Sequence, residues 1–314
     1  MQNFFLSERT AQDIDRRVAK ILRDMGNPQP PLRLEEVRHL LELDLGWYSS
    51  ADDGILRETL HRLTMAGKQI LDRPGLLLDA VKKFSLKALW QPDRKRILLD
   101  AELPPLKQRW GEAHEIGHSI LDWHEPMTHG DQKQTLSYTC HQQLEAEANF
   151  AAGRLTFLRD RFTEELFSSP LTLDSVKTLS KSFGNTITSG LWRTVESLDA
   201  PGFAMISQYP RSYSQTDGEL VRYFIQSRRF SREFTGVTAS RLFECLASFC
   251  RPGNGPLGSS EITLRDNNGT EHVFFIECLF NRYDALTLAT YVRARTPLVS
   301  ALSPATMQPR RLLH

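Results

Sequence analysis

AHEIGHSILDWH (residues 113–124) holds three histidines and an internal glutamate, and its reading decides what the rest of the chain is for. On a helix, His114 and His118 are four residues apart. At about 100° per residue they share one face, one turn apart. Two imidazole nitrogens so placed suit a single tetrahedral zinc at about 2.0–2.1 Å. Glu115 lies one step round the helix, where it reaches a water at an open metal position rather than the metal itself. This is the H-E-x-x-H arrangement, with the glutamate as general base. Ile116, Ile120 and Leu121 supply the buried side of the helix. The bland alternative is a polar helix turn that matches a five-residue pattern by chance. Against it, five of the nine histidines fall between 114 and 141, and a strand-forming run, RKRILLDAEL (94–103), directly precedes the helix expected over 106–123. Strand followed by helix suits a protease that binds peptide along an edge strand.

Two residues compete for the third ligand. His124 has the outer spacing of a longer three-histidine zinc motif, but that motif needs glycine where this chain has Leu121. If the helix continues, His124 lies about 240° round from His118 and points away. Its bland role is an exposed or capping residue at the helix end. The second candidate lies in QLEAEANFAA (143–152), within a helix expected over 141–158. Glu145 and Asn149 are i and i+4 and face the same way. Glu145 suits the metal. Asn149 suits the far N–H of a ligand histidine, where it fixes the tautomer. Glu147 sits about 200° from Glu145 and points elsewhere. The residues favour Glu145 over a merely solvated acidic face. Tyr138 and His141, just before this helix, are candidate donors to a tetrahedral oxyanion, although packing and capping account for them equally well.

The rest of the chain bounds the setting. Its 314 residues allow two or three domains, and 40% hydrophobic with 25% charged residues is ordinary for a soluble globular protein. A net charge of +1 gives no global signal for nucleic acid or a membrane surface. No apolar run has transmembrane length, and MQNFFLSERTAQDIDRR lacks a secretory pattern. Four cysteines without knuckle spacing are neither a zinc motif nor a disulfide scaffold, so the expected compartment is the cytoplasm. Helices are expected over 8–25, with Ser7 as cap and Ile14, Val18, Ile21 and Leu22 as its stripe, over 32–44, and over 53–84, with LGWYSS (45–50) a short strand. Residues 125–140 read as a polar stretch. LTLDSVKTLSKSFGNTITSGLWRTVES (171–197) reads as helix, turn, helix. After Asp199–Gly202, GFAMISQYP, VRYFIQSRRF, EITLRD and TEHVFFIECLF read as β runs, with a hairpin turn at 266–269, a helix at 240–250 and a loop at 251–260.

AHEIGH, followed 27 residues after His118 by the glutamate of E-x-E-A-N-x-F-A-A, resembles the ImmA/IrrE metallopeptidases, as does the downstream LSKSFGNTITSGLWRTVES. The resemblance covers about 90–198. It implies an α+β chain with a minimal, gluzincin-type zincin domain (1–160), a helix-turn-helix-like segment (161–199) and a C-terminal α/β, GAF-like domain (200–314). It assigns zinc to His114, His118 and Glu145 and the general base to Glu115, and manganese also suits a His-His-Glu site. It further implies a protein substrate, a repressor with a helix-turn-helix domain, whose cleavage releases a stress-response or mobile-element operon, and an effector read by the C-terminal domain. Direct DNA binding by 172–196 is disfavoured, because its basic residues are only Lys177, Lys181 and Arg193. Arg222, Arg228, Arg229 and Arg232 form either a solvated edge or an anion site, with the solvated edge favoured. A regulator with a vestigial metal site and a protease toxin of a defence locus stay open as alternatives. An intact Glu115 argues against the first of these.

Overall fold

The computed structural model describes residues 5–48, 88–91, 95–124, 138–209, 220–250 and 255–295; the side chains of 88–89 and 138–141 fall outside that description. The helix expected over 53–84 and most of the polar stretch after 124 therefore lie outside the described residues.

The chain is α+β, as expected, with two sheets among helices. Helix α1 (Glu8–Asp24) starts where the Ser7 hydroxyl accepts the Thr10 N–H at 3.1 Å, and it buries Ile14, Val18, Ile21 and Leu22. Helix α2 (Leu34–Leu40) is shorter than its sequence suggests. It yields at Glu42, whose φ of 56° turns the chain into strand β1 (Asp44–Tyr48). Strands β2 (Ala88–Gln91) and β3 (Arg96–Asp100) complete a three-stranded sheet of order β1-β3-β2, with β1 parallel and β2 antiparallel to β3. The strand that leads into the motif helix is thus the central one. Its Ile97, Leu98 and Leu99 are all buried, and the edge that faces the motif is β2.

Helix α3 (Pro105–Ser119) begins with proline at its first position, where no intrahelical N–H is lost. Helices α4 (Tyr138–Thr156), α5 (Arg161–Phe167), α6 (Leu173–Ser182) and α7 (Ile187–Glu196) follow. Thr172 and Ser175 make a reciprocal capping box on α6, and Thr186 caps α7.

The second sheet contains β4 (Phe203–Ser207), β5 (Val221–Gln226), β6 (Gly255–Arg265), β7 (Glu271–Phe280) and β8 (Ala285–Ala294), in the order β5-β4-β8-β7-β6, with every neighbouring pair antiparallel. Side chains alternate between its faces. Ala204, Ile206, Ile225, Leu286 and Leu288 join the core of the N-terminal helices. Phe203, Met205, Phe224, Phe274 and Ile276 pack under helices α8 (Arg228–Glu233) and α9 (Ala239–Phe249) with Phe230, Phe234 and Phe243.

Three expectations need correction here. Strand β8, unread in the sequence, is the central strand, and its place comes from pairing with β4 on one side and β7 on the other. The loop expected at 251–260 is strand from Gly255 onward. This edge strand tolerates Pro256 beside a bulge, with Gly255 and Gly258 at φ of 86° and 144°. The β run through VRYFIQSRRF stops at Gln226, where the Ser227 hydroxyl accepts the Phe230 N–H and starts α8.

Candidate metal centre

Helices α3 and α4 lie side by side, and Gly117 sets how closely. A Cβ at that position would stand 2.6 Å from the Ala148 carbonyl oxygen, a contact that only glycine avoids. Gly117→Ala must therefore push the two helices apart. The expected outcome is a loss of about 1–3 kcal/mol of stability, the usual cost of overpacking, together with weaker metal uptake, checked by thermal melts with and without zinc.

The close approach brings together the two histidines of one helix and a glutamate of the other. His114, His118 and Glu145 offer ligand atoms that all lie within 4.8 Å of one another, the one such group among the described residues. The Nε2 atoms of His114 and His118 are 3.1 Å apart. His114 Nε2 is 3.3 Å from Glu145 Oε2, and His118 Nε2 is 3.7 Å from Glu145 Oε1. Ligands at about 2.0–2.1 Å from a tetrahedral ion sit roughly 3.3–3.4 Å apart, so the spacing suits one metal ion.

The chemistry of the donors suits it as well. His114 Nδ1–H donates to Asn149 Oδ1 at 3.1 Å, which turns Nε2 inward as the atom that would meet a metal ion. Two imidazole nitrogens and a carboxylate converging on one point favour a positive charge between them, a metal ion or a proton. Electrostatics points the same way. Burial works against charging His114, but Glu145, Glu115 and Asn149 outweigh it and hold its pKa above the ordinary value.

Glu115 is buried, 6% exposed. Its carboxyl is pushed up to about 7, by burial above all and by Glu145, against the pull of His114 and of a backbone hydrogen bond from Trp90. Strand β2 therefore reaches the base directly. The nearby Tyr48 is pushed up to about 12 by burial and by the Asp100 and Glu115 carboxylates. Sequence reasoning missed both contacts, because Trp90 and Tyr48 lie 25 and 67 positions from Glu115 and meet it only through the sheet. Glu145 is the open member of the group, with 41% of its side chain exposed, so solvent enters from its side.

His124 is neither a ligand nor an exposed cap. Helix α3 ends at Ser119 and the chain turns back, so His124 is 1% exposed with Nδ1 2.8 Å from His118 Nδ1. Glu147, expected to point elsewhere, does turn away from the metal group but is buried against His124 Nε2 at 2.9 Å. Tyr138 and His141 fall in the first turn of α4, and their side chains lie outside the described residues.

The four arginines between 222 and 232, one on β5 and three on α8, are held by partners. Arg222 pairs with Asp284, Arg229 and Arg232 with Glu233, and Arg228 donates to the Leu6 carbonyl. Helix α7 turns Gly190, Leu191, Arg193, Thr194 and Val195 inward, and Arg193 is bound to Asp160 rather than facing solvent.

Residues 77–189 match the family model of the IrrE N-terminal-like domain, Peptidase_M78. That span contains β2, β3 and the helices that carry the three ligands. Among solved structures the chain is similar to a Mycobacterium tuberculosis transcriptional regulator, with a TM-score of 0.51 and 13% identity over 91% of this chain and 90% of that one. At that identity the likeness is one of fold. No curated protein matches the chain.

Proposed function

From a chain that carries an IrrE N-terminal-like domain, we propose a zinc-dependent endopeptidase that cuts a partner protein, a transcriptional repressor with a helix-turn-helix domain. The observation that carries the reading is the convergence of His114, His118 and Glu145 beside a buried Glu115. A structural metal site has no use for a buried carboxylate next to its open side.

A divalent cation held by these three residues would acidify a bound water and polarise the scissile carbonyl. Zinc is the proposed ion, and manganese is the alternative that a His-His-carboxylate set accommodates. Glu115 takes the proton of the attacking water and carries it to the leaving amine. Burial favours the protonated carboxyl and so helps Glu115 hold the proton between the two transfers. Asn149 holds the His114 ring. Strand β2, at the sheet edge and within reach of Glu115 through Trp90, is where an extended peptide would align.

The fold likeness to a mycobacterial transcriptional regulator supports a place for this proteolysis in gene control. Inward-facing α7 supports a scaffolding role for residues 172–196 over direct DNA binding. Residues 200–314 would form the effector-reading unit. Glu277 of β7 accepts the Leu173 N–H at 2.9 Å and so ties that sheet to α6. No helix among the described residues is long and apolar enough to cross a membrane. The cytoplasmic assignment rests on sparse, unpatterned cysteines.

The test is zinc-loaded wild type and Glu115→Gln, each incubated with helix-turn-helix repressors encoded beside the gene. Wild type is expected to produce discrete fragments while Glu115→Gln binds zinc and cuts nothing. Equal cleavage by both, or none by zinc-loaded wild type, would remove the endopeptidase reading.

A further inference from the structure

We propose that His124 and Glu147 form a buried relay that fixes the tautomer and orientation of His118, making both of them positioning residues for the metal ligand. The inference rests on the metal-site reading and deepens it.

The geometry leaves little freedom. Beyond Ser119 the chain reverses, with Leu121 N–H donating to the His118 carbonyl and His124 N–H to the Leu121 carbonyl. The reversal lays the His124 ring against that of His118, centroids 4.9 Å apart. Arg17 of α1 secures the reversal. It donates to the Ile120 carbonyl at 2.8 Å, pairs with Asp122 and lies 5.1 Å from the centre of the Trp123 ring. Beyond His124 stands Glu147, 2% exposed, which accepts from Trp123 Nε1–H at 2.6 Å and Gln143 Nε2–H at 2.8 Å.

The hydrogens follow from that order. An ionised carboxylate only accepts, so His124 Nε2 carries a proton and donates it to Glu147. Neutral His124 then has a bare Nδ1, which accepts from His118 Nδ1–H at 2.8 Å. His118 is left with a bare Nε2, the atom that faces His114 and Glu145. The polarity set at Glu147 is passed through two imidazoles to the metal-facing nitrogen. The two ligands are thus held differently, His114 by the amide of Asn149 and His118 by an anion-backed histidine. A carboxylate behind a ligand histidine raises its basicity as well as fixing its orientation.

The test compares zinc affinity, by chelator competition, in wild type, His124→Gln and His124→Leu. A glutamine amide keeps an acceptor and a donor at nearly the imidazole spacing, whereas leucine keeps only bulk. The relay predicts affinity within a few-fold of wild type for glutamine and a loss of about 10–100-fold for leucine. A packing role predicts that leucine does as well as glutamine, and that result overturns the proposal. A second measurement needs no variant: long-range proton–nitrogen NMR on zinc-loaded wild type. The expected spectrum has His118 protonated at Nδ1 and His124 protonated at Nε2 alone. A proton on His124 Nδ1 overturns the relay even though zinc is bound. Failure of wild type to take up zinc overturns the metal-site reading, and the relay with it.

Discussion

Glu145→Ala is expected to strip the centre of its metal while leaving the fold standing. Metal-binding free energies of about 10–16 kcal/mol for a four-ligand zinc site imply roughly 3–4 kcal/mol per ligand, a loss of roughly 10²–10³-fold in affinity. Mass spectrometry on protein purified without added metal should find zinc in the wild type and little in the variant. The structural cost should be small. The Glu145 side chain is 41% exposed, and it lies within ion-pair distance of the two histidines of the same group; exposed ion pairs contribute about 0–1 kcal/mol. Metal-free melting temperatures should therefore nearly coincide. The stabilisation that zinc confers on the wild type by mass action should vanish in the variant. Zinc retained at wild-type affinity would show that Glu145 is not the third ligand.

Asp15→Ala should have the opposite profile, with a large loss of stability whether or not metal is present. Asp15 on α1 binds Arg154 of α4 and Arg159 beyond it, and Arg154 and Arg193 share Asp160. Arg154 and Arg193 are buried. Without Asp15, three guanidiniums are left with two carboxylates, Asp160 and Glu196, and so with too little negative charge among them. Removing one partner of a buried pair costs about 3–5 kcal/mol. Because Asp15 keeps 20% exposure, the expected loss lies near the lower end, about 3 kcal/mol, read from denaturant midpoints. A loss below about 1 kcal/mol, the range of exposed ion pairs, would mean that the network does not clamp α1 to α4.

The same network predicts acid lability. Burial alone would raise the Asp15 pKa, but Arg159 and Arg154 outweigh it and hold it below the ordinary 3.8. Arg154 likewise holds Asp160 down, against burial and with help from Arg193 and Arg159. A depressed folded-state pKa gives stability that is complete above the unfolded value and fades as the pH falls through the folded one. Wild type should therefore lose stability below about pH 4, and Asp15→Ala should lose less over the same range.

Much of the centre was legible in the sequence for one reason: helix geometry is local. Four residues of separation place His114 over His118 and Glu145 over Asn149 whatever else the chain does, and Glu115 takes the neighbouring position by the same rotation. The turn at 266–269, the helix of 240–250 and the stripe of α1 are local in the same sense. His124 was misread because the angle that sends it away from His118 assumes a continuing helix, and the helix stops at Ser119. Glu147 does face away from Glu145, but what waits on that side depends on how α4 docks, not on its own period.

By itself, the sequence determined which side chains share a helix face and hence which residues can hold a metal. Tertiary structure decided which faces meet. Gly117 lets α4 come against α3 at a distance no side chain would permit, and the reversal pinned by Arg17 buries His124 between His118 and Glu147. Burial then forces each polar atom to find a partner, and that requirement sets the protons on the metal-facing histidine.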